Sequence, residues 1–343
     1  MLLIPPMVNK YYLFDLQPRT SFLKWLVDEG HTVFVVSWAN PDDTHRDKDL
    51  TAFVKEGAVE ALRAIEDATG EREVDVIGFC LGGTLTTLAL GYLQAIGEAD
   101  RAASATLIGA LTDFSDLGEW SAFLGEQDIE AFARYLAEKG YVEAHDLQRL
   151  FSAVRANDLV WGPFVAHYLL GEEAPPSDLL YWFNDGARMP EGLLNTYLRE
   201  VIRGNGLAEG TVKIDGKAID LKAVKTPVRF ISMKDDHVSG WQATYKGASL
   251  FGGDVEFILG GSGHNAGVIN PPHANKHGFW TNKALPATAE VWLEGAARHE
   301  GSWWPHWQAK LAKGQTKVSA RTPGEGKLKT LEAAPGSYVK VRH

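Results

Sequence analysis

The sequence predicts an α/β fold: a mostly parallel sheet with helices on both faces and a largely helical insertion part-way along the chain. Three observations carry the prediction. Residues 32–37 form a continuous β-branched and aromatic run, and residues 74–77, apart from Asp75, and 105–108 are similar, the pattern of parallel strands covered on both faces. Between the first two, residues 51–69 place Phe53, Val54, Ala58, Ala61, Leu62 and Ile65 at helical spacing, so strand, helix and strand follow in the order of a βαβ unit. Residues 228–232 and 255–259 repeat the strand pattern, and each runs into a loop rich in Gly or Asp, which assigns them to the same sheet.

The remaining elements follow in order. Residues 1–7 are apolar, broken by Pro5-Pro6 and followed by Asn9 and Lys10; they lack the basic start and cleavage site of a signal peptide and read as a strand. Residues 76–97 carry no charge and would pass a crude window for a membrane span. Their Gly78, Gly82, Gly83, Thr84, Thr86 and Thr87 favour a strand, a sharp turn and a buried helix instead. Residues 112–224 differ in kind. Helical segments near 129–139 and 144–156 precede an aromatic-rich stretch containing Trp161, Phe164, Tyr168, Tyr181, Trp182, Phe183 and Tyr197, interrupted by Pro175, Pro176 and Pro190. An insertion of this kind between strands has the form of a lid. The expected division is a first core part at 1–111, a cap at 112–224 and a second core part at 225–343, whose basic, weakly periodic end from 310 wraps the surface.

Composition narrows the classes. With 343 residues, 45% hydrophobic and 23% charged, the bulk of the chain is too apolar for intrinsic disorder. Thirty-four Lys and Arg against 44 Asp and Glu leave a net charge of −10 without a long basic run, which argues against a nucleic-acid surface. The single cysteine, Cys80, excludes an intramolecular disulfide and a Cys-cluster metal site and suits a reducing cytosol; no metal is expected.

Cys80 sits in Gly78-Phe79-Cys80-Leu81-Gly82-Gly83, directly between a strand and the uncharged helix. This is the nucleophile-elbow pattern G-x-S-x-G with cysteine in the serine position. A strand that turns abruptly into a helix crowds its own turn, so the positions two before and two after the nucleophile must be small. The helix N-terminus favours a thiolate, and the Leu81 N–H stands ready to donate to an oxyanion. A second donor should come from the loop after the first strand, with the backbone N–H of Met7 or Val8 as candidates. An elbow nucleophile is followed along the chain by an acid and then a histidine. Strand 228–232 runs into Lys234-Asp235-Asp236-His237, the place for the acid; strand 255–259 runs into Gly260-Gly261-Ser262-Gly263-His264, the place for the base. His237, Asn265, Trp161 and Trp182 are carried as substrate-facing candidates, although an aromatic core of a helical cap explains the two tryptophans equally well.

Taken together the chain resembles the catalytic domain of polyhydroxyalkanoate synthases, an α/β-hydrolase-like family, and within it the short-chain poly(3-hydroxybutyrate) polymerases. The matching segments run in order along the chain: LLIPP at 2–6, NKYY at 9–12, DLQP at 15–18, GHTVF at 30–34, SWANP at 37–41, GFCLGGT at 78–84, NDLVW at 157–161, DLLYW at 178–182, Asp236-His237, and GHNAGVINPP at 263–272. The resemblance implies Cys80 as nucleophile, Asp236 as acid and His264 as base. It implies polymerisation of (R)-3-hydroxyacyl-CoA, chiefly 3-hydroxybutyryl-CoA, with release of CoA. CoA is then part of the substrate, and no separate cofactor is needed. The implied partners are the growing polyester and the surface of its cytoplasmic granules, with a homodimer formed through the cap. Single-subunit synthases of this kind carry an N-terminal domain ahead of the segment that opens this chain, so a missing N-terminal part or a second subunit is also expected.

The chemistry explains the cysteine. A thiol attacking an acyl-CoA exchanges one thioester for another and keeps the acyl group activated, where a serine would trap it as an ester. The elbow, acid and base would look the same in a cysteine-nucleophile hydrolase of lactones or thioesters. A non-catalytic granule protein retaining the fold is the third reading.

Overall fold

The computed structural model describes residues 1–154, 156, 160–173, 176–313 and 315–342. The expected segment 157–161 therefore lies partly outside the described residues, as does Pro175.

Four parallel strands open the sheet: β1 (Leu2–Ile4), β2 (Phe34–Val35), β3 (Val74–Phe79) and β4 (Ala102–Ile108). Two short antiparallel pairs follow away from the sheet, β5 (Tyr141–Val142) with β6 (Met189–Pro190) and β7 (Lys213–Ile214) with β8 (Lys217–Ala218). The sheet resumes with the parallel strands β9 (Val228–Met233) and β10 (Val255–Gly260), then ends on antiparallel β11 (Phe279–Thr281) and β12 (Ala297–His299). The order is β12-β11-β10-β9-β4-β3-β1-β2. From β1 the chain first moves outward to β2 and then returns to the other side of β1 through β3, so strand order reverses between β1 and β3. A reversal of this kind opens a crevice beyond the strands' carboxyl ends.

Alternation along each strand builds a core on both faces. Leu2, Ile4, Val76, Leu107, Phe230, Phe257 and Leu259 join one apolar cluster; Leu3, Ile77, Phe79, Ile108, Ile231 and Ile258 join the other. Helix Leu81–Ile96 packs into the first and helix Trp304–Leu311 into the second. The uncharged stretch 76–97 is thus strand end, turn and buried helix; among the described residues no helix is long and apolar enough to cross a membrane.

The sheet differs from the sequence expectation at its edges. The run 32–37 forms only the two-residue β2, half-buried, because it pairs on one side alone. Strands β11 and β12 carry no apolar run that would announce them, since FWT and ARH are short and the latter lies mostly exposed. Residues 112–224 leave the sheet between β4 and β9 and hold the helices Glu126–Lys139, Ala144–Val154 and Asp178–Asn184. Beyond helix Trp304–Leu311 the chain runs over the surface: the Lys327 N–H donates to the Asp67 carbonyl at 2.9 Å, and the Lys10 ammonium donates to the Val341 carbonyl at 2.7 Å.

Candidate active site

Cys80 directly follows β3 with φ 53° and ψ −125°, a positive-φ conformation that costs a residue with a Cβ about 1–3 kcal/mol and persists only when its surroundings hold it. The surroundings do. A Cβ on Gly82 would stand 2.2 Å from the Ile4 carbonyl oxygen, and one on Gly78 would stand 2.4 Å from Thr86 Oγ1. Only glycine lets the helix start this close to the end of β1. Cys80 caps the helix, its carbonyl accepting from the N–H groups of Gly83 at 2.8 Å and Thr84 at 3.2 Å. Leu81 is the first helical residue, so its N–H has no acceptor within the helix.

The carboxyl ends of β9 and β10 bring the acid and base together. His264 Nδ1 donates to Asp236 Oδ2 at 2.6 Å, and the side chains are 7% and 0% exposed. The other carboxylate oxygen, Oδ1, accepts from the backbone N–H groups of Val238 and Ser239, both at 2.8 Å. The imidazole packs on Phe79, with ring centroids 4.9 Å apart and 32° between planes. Burial, the largest single influence, lowers the pKa of His264, but the charges of Asp236 and Cys80 and the hydrogen bonds to both side chains together more than offset it and raise the value to about 10. Burial works against ionised Asp236 as well; the charge and hydrogen bond of His264 and the two backbone N–H groups reverse that and hold it below the usual carboxylate range. The pair is therefore built as imidazolium and carboxylate.

These groups open into a cavity of about 440 Å³. Phe79, Cys80 and His264 line it from the sheet edge and Val8 from the loop after β1, while Leu147, Phe151, Leu179, Trp182 and Phe183 wall it from the insertion. Among the described residues, no Lys or Arg contributes to the lining. His237, Asn265 and Asp235 also line it. Asn265 Oδ1 is buried and has no hydrogen-bond partner among the described residues. Trp182 is 3% exposed, and its indole N–H donates to the Lys10 carbonyl at 2.7 Å, which joins the cavity wall to the loop after β1. Of the two backbone candidates for a second oxyanion donor, Val8 belongs to the cavity lining; the side chains of both Met7 and Val8 pack into the core, 3% and 7% exposed.

Trp161 corrects the sequence reading. It is 57% exposed and is not part of the cavity lining. It packs edge-on against Phe164, which stacks on Tyr168, in a solvent-facing aromatic row. Aromatic composition marked the stretch, but composition does not say which residues turn inward.

Two neighbours of the acid–base pair escaped the sequence reading. Ser239 lies three residues after Asp236, and Gly109 follows β4; both touch the pair. A glycine at a strand's carboxyl end was a legible signal for the second. Nothing in the sequence marked the first.

Residues 14–271 match the family described as alpha/beta hydrolase fold, and residues 1–26 match the N-terminus of poly-beta-hydroxybutyrate polymerase (PhaC). The chain is 43% identical to the poly(3-hydroxyalkanoate) polymerase subunit PhaC of Rhizobium etli, over 100% of this chain and 54% of that one. It is 43% identical to the subunit of the same name from Rhizobium meliloti, over 100% and 56%, and 39% identical to that of Cupriavidus necator, over 100% and 59%. The chain thus spans little more than half the length of these curated relatives. Among solved structures, a bromoperoxidase from Bacillus anthracis is 17% identical with a TM-score of 0.46, covering 80% of this chain and 86% of that one. The strand order, the strained elbow and a family match over most of the chain agree, and the chain belongs to the alpha/beta hydrolase fold family.

Proposed function

We propose that this chain is the catalytic part of a poly(3-hydroxyalkanoate) polymerase that joins (R)-3-hydroxyacyl groups from their CoA thioesters, 3-hydroxybutyryl-CoA foremost. The observation that carries the reading is a cysteine held in the elbow, next to a buried imidazole–carboxylate pair, at the base of a largely apolar cavity. The similarity of the whole chain to polymerase subunits supports it.

The reaction would run in two half-steps. The Cys80 thiolate adds to the thioester carbonyl of the acyl-CoA, and the Leu81 N–H, with a donor from the loop carrying Val8, stabilises the oxyanion. Collapse breaks the bond to CoA, whose sulfur takes the proton held by His264. The acyl group is then a Cys80 thioester. Next, a 3-hydroxyl gives its proton to His264 as its oxygen attacks a thioester, forming the ester bond; the released thiolate is left paired with the imidazolium. Thioester exchange is nearly balanced, so the acyl group stays activated until the hydroxyl arrives. Asn265 lines the same cavity with a buried Oδ1 that has no hydrogen-bond partner among the described residues, and it would accept from a substrate N–H or O–H other than the attacking hydroxyl, whose one proton goes to His264. Water competes with the hydroxyl, so an apolar wall of Leu147, Phe151, Leu179 and Phe183 favours ester over acid. In this reading CoA enters and leaves with the substrate, and no other cofactor is needed. The polyester chain and its cytoplasmic granule are the partners, with a homodimer formed through the cap and a further N-terminal part or second subunit completing the enzyme.

The test is to supply (R)-3-hydroxybutyryl-CoA and follow CoA release and products together. Chloroform-soluble polyester growing with CoA release, including after restoration of an N-terminal part, supports a polymerase. Free 3-hydroxybutyrate as the main product under both conditions would make the chain a hydrolase. No CoA release and no labelling of Cys80 would make it a non-catalytic member.

A further inference from the structure

Behind the contact between Asp236 and His264 lies a hydroxyl that the acid–base steps do not use. Ser239 is 3% exposed, and its Oγ stands 2.8 Å from the Gly109 carbonyl oxygen, 3.1 Å from Asp236 Oδ2 and 3.5 Å from His264 Nδ1. A serine hydroxyl has one proton to donate. The Gly109 carbonyl is the nearest acceptor, so the hydroxyl ties the end of β4 to the loop that carries the acid.

Gly109 is held from two sides, because its own N–H donates to the Ile231 carbonyl in β9 at 2.8 Å. Its φ of +50° brings a bare Cα against the imidazole: a Cβ there would stand 3.0 Å from His264 Cε1 and 3.2 Å from Nδ1. The ring is thus packed by Phe79 at the end of β3 and by Gly109 at the end of β4, while Asp236 holds its Nδ1 from the end of β9. Ser239 is the residue that joins the last two of these supports.

We infer that Ser239 is a positioning residue for the catalytic pair: by fastening Gly109 to the Asp236 loop it fixes the imidazole so that Nδ1 stays on Asp236 and Nε2 is left for Cys80. The inference rests on the Cys80–His264–Asp236 assignment and not on which nucleophile later takes the acyl group. It is therefore tested without acyl substrate.

The full chain and its Ser239→Ala, Ser239→Thr and Gly109→Ala variants are compared in two ways. One is the rate of Cys80 alkylation by iodoacetamide at pH 7; the other is an NMR titration of the His264 Cε1–H signal in protein carrying ¹³C-labelled histidine. Ser239→Ala should alkylate about tenfold more slowly, the size of one lost buried hydrogen bond. Its His264 should titrate at lower pH than in the parent, because a looser Asp236 contact removes part of the charge that keeps the imidazolium. Ser239→Thr retains the hydroxyl and should recover both values. Gly109→Ala crowds the same ring from β4 and should move both readouts in the same direction as Ser239→Ala, so the inference stays testable if one variant fails to fold. Parent values for both readouts in folded Ser239→Ala, even with a lowered melting temperature, would reduce Ser239 to a structural residue and overturn the inference. Failure of folded Ser239→Thr to recover either readout would also overturn it.

Discussion

A single thiol, one imidazole and one carboxylate make up the reactive part of the site, and the loss of each should leave its own signature. Cys80→Ala should abolish acyl-enzyme formation with the fold intact, since the chain contains no other cysteine; radiolabelled acyl-CoA and a denaturing gel check this, and labelling at the parental level would remove Cys80 from the mechanism. Replacing His264 should stop acylation and elongation together, whereas Asp236→Asn should slow acylation less than elongation, because the helix terminus beneath Cys80 is untouched by that change. Equal losses in single-turnover acylation would contradict that split. The raised pKa of His264 also has a consequence for stability. Its ordinary value is 6.5 and its folded value about 10, so the folded state binds the proton more tightly than the unfolded chain. The stabilisation is full below pH 6.5 and disappears as pH rises through 10. The melting-temperature difference between the parent and His264→Gln should accordingly be largest near pH 5 to 6 and shrink toward pH 10; a difference that grows with pH would mean the imidazole is buried neutral. Cys80 and His264 were legible because each is announced by glycines beside it in sequence. Gly109 carried only the signal of a glycine at a strand end and Ser239 carried none, because what makes them matter is a contact between residues 130 positions apart.

Elements place those residues, and the most demanding of them is the turn from β3 into helix Leu81–Ile96. Gly82→Ala should cost more than an ordinary helical glycine replacement, which in an exposed helix would be favourable by about 1 kcal/mol. Here the added methyl meets the Ile4 carbonyl oxygen at 2.2 Å, so either β1 or the helix must shift. Urea denaturation should show a loss of stability and iodoacetamide a slowed thiol; a Gly82→Ala variant as stable and reactive as the parent would mean that the elbow has room to spare. The opposite face of the sheet supports the base loop through tryptophans. The indole N–H groups of Trp303 and Trp304 donate to the carbonyls of Gly267 and Val268, both at 3.0 Å, and Trp307 donates to Thr106 Oγ1 in β4 at 2.9 Å. Trp304→Ala should therefore cost roughly 3–5 kcal/mol by emptying a packed site. It should also lower the acylation rate of the folded fraction, because the released carbonyl lies four residues after His264. The central parallel strands could be read from sequence because burial on both faces leaves mostly apolar runs, broken by charge only near their starts, at Asp75, Arg229 and Glu256. The edge strands β2, β11 and β12 could not, since an edge needs few apolar residues and its pairing depends on a partner far along the chain.

For the whole molecule, the open question is how a substrate reaches a cavity walled by the insertion. The wall and the floor come from different parts of the chain. Phe79, Cys80 and His264 belong to sheet ends whose strands share dense backbone hydrogen bonds, while Leu147, Phe151, Leu179 and Trp182 stand on short helices above them. Besides the Trp182–Lys10 hydrogen bond, an ionic tether crosses between the two: Lys10, in the loop after β1, pairs with Asp185 at 2.6 Å, and Tyr12 donates to the same carboxylate at 2.8 Å. Between the wall helices Ala144–Val154 and Asp178–Asn184, the segment 160–170 exposes Trp161, Phe164, Tyr168, Leu169 and Leu170, with Tyr168 77% exposed. Large apolar side chains in solvent bury little to hold their backbone in place, so this segment should open locally at far lower cost than any strand. Chymotrypsin, which cuts after such residues, should nick the chain between 160 and 170 well before any cut appears in β3, β4, β9 or β10. If the insertion is a mobile cap, a non-hydrolysable thioether analogue of the acyl-CoA, seated against Leu179 and Trp182, should draw the wall down and slow that cut. Lys10→Met removes one end of the tether and should speed the cut in the free protein while leaving protection by the analogue in place. First cuts within the sheet strands, with the pattern unchanged by the analogue, would show that the insertion is a fixed wall and that substrate enters by another route.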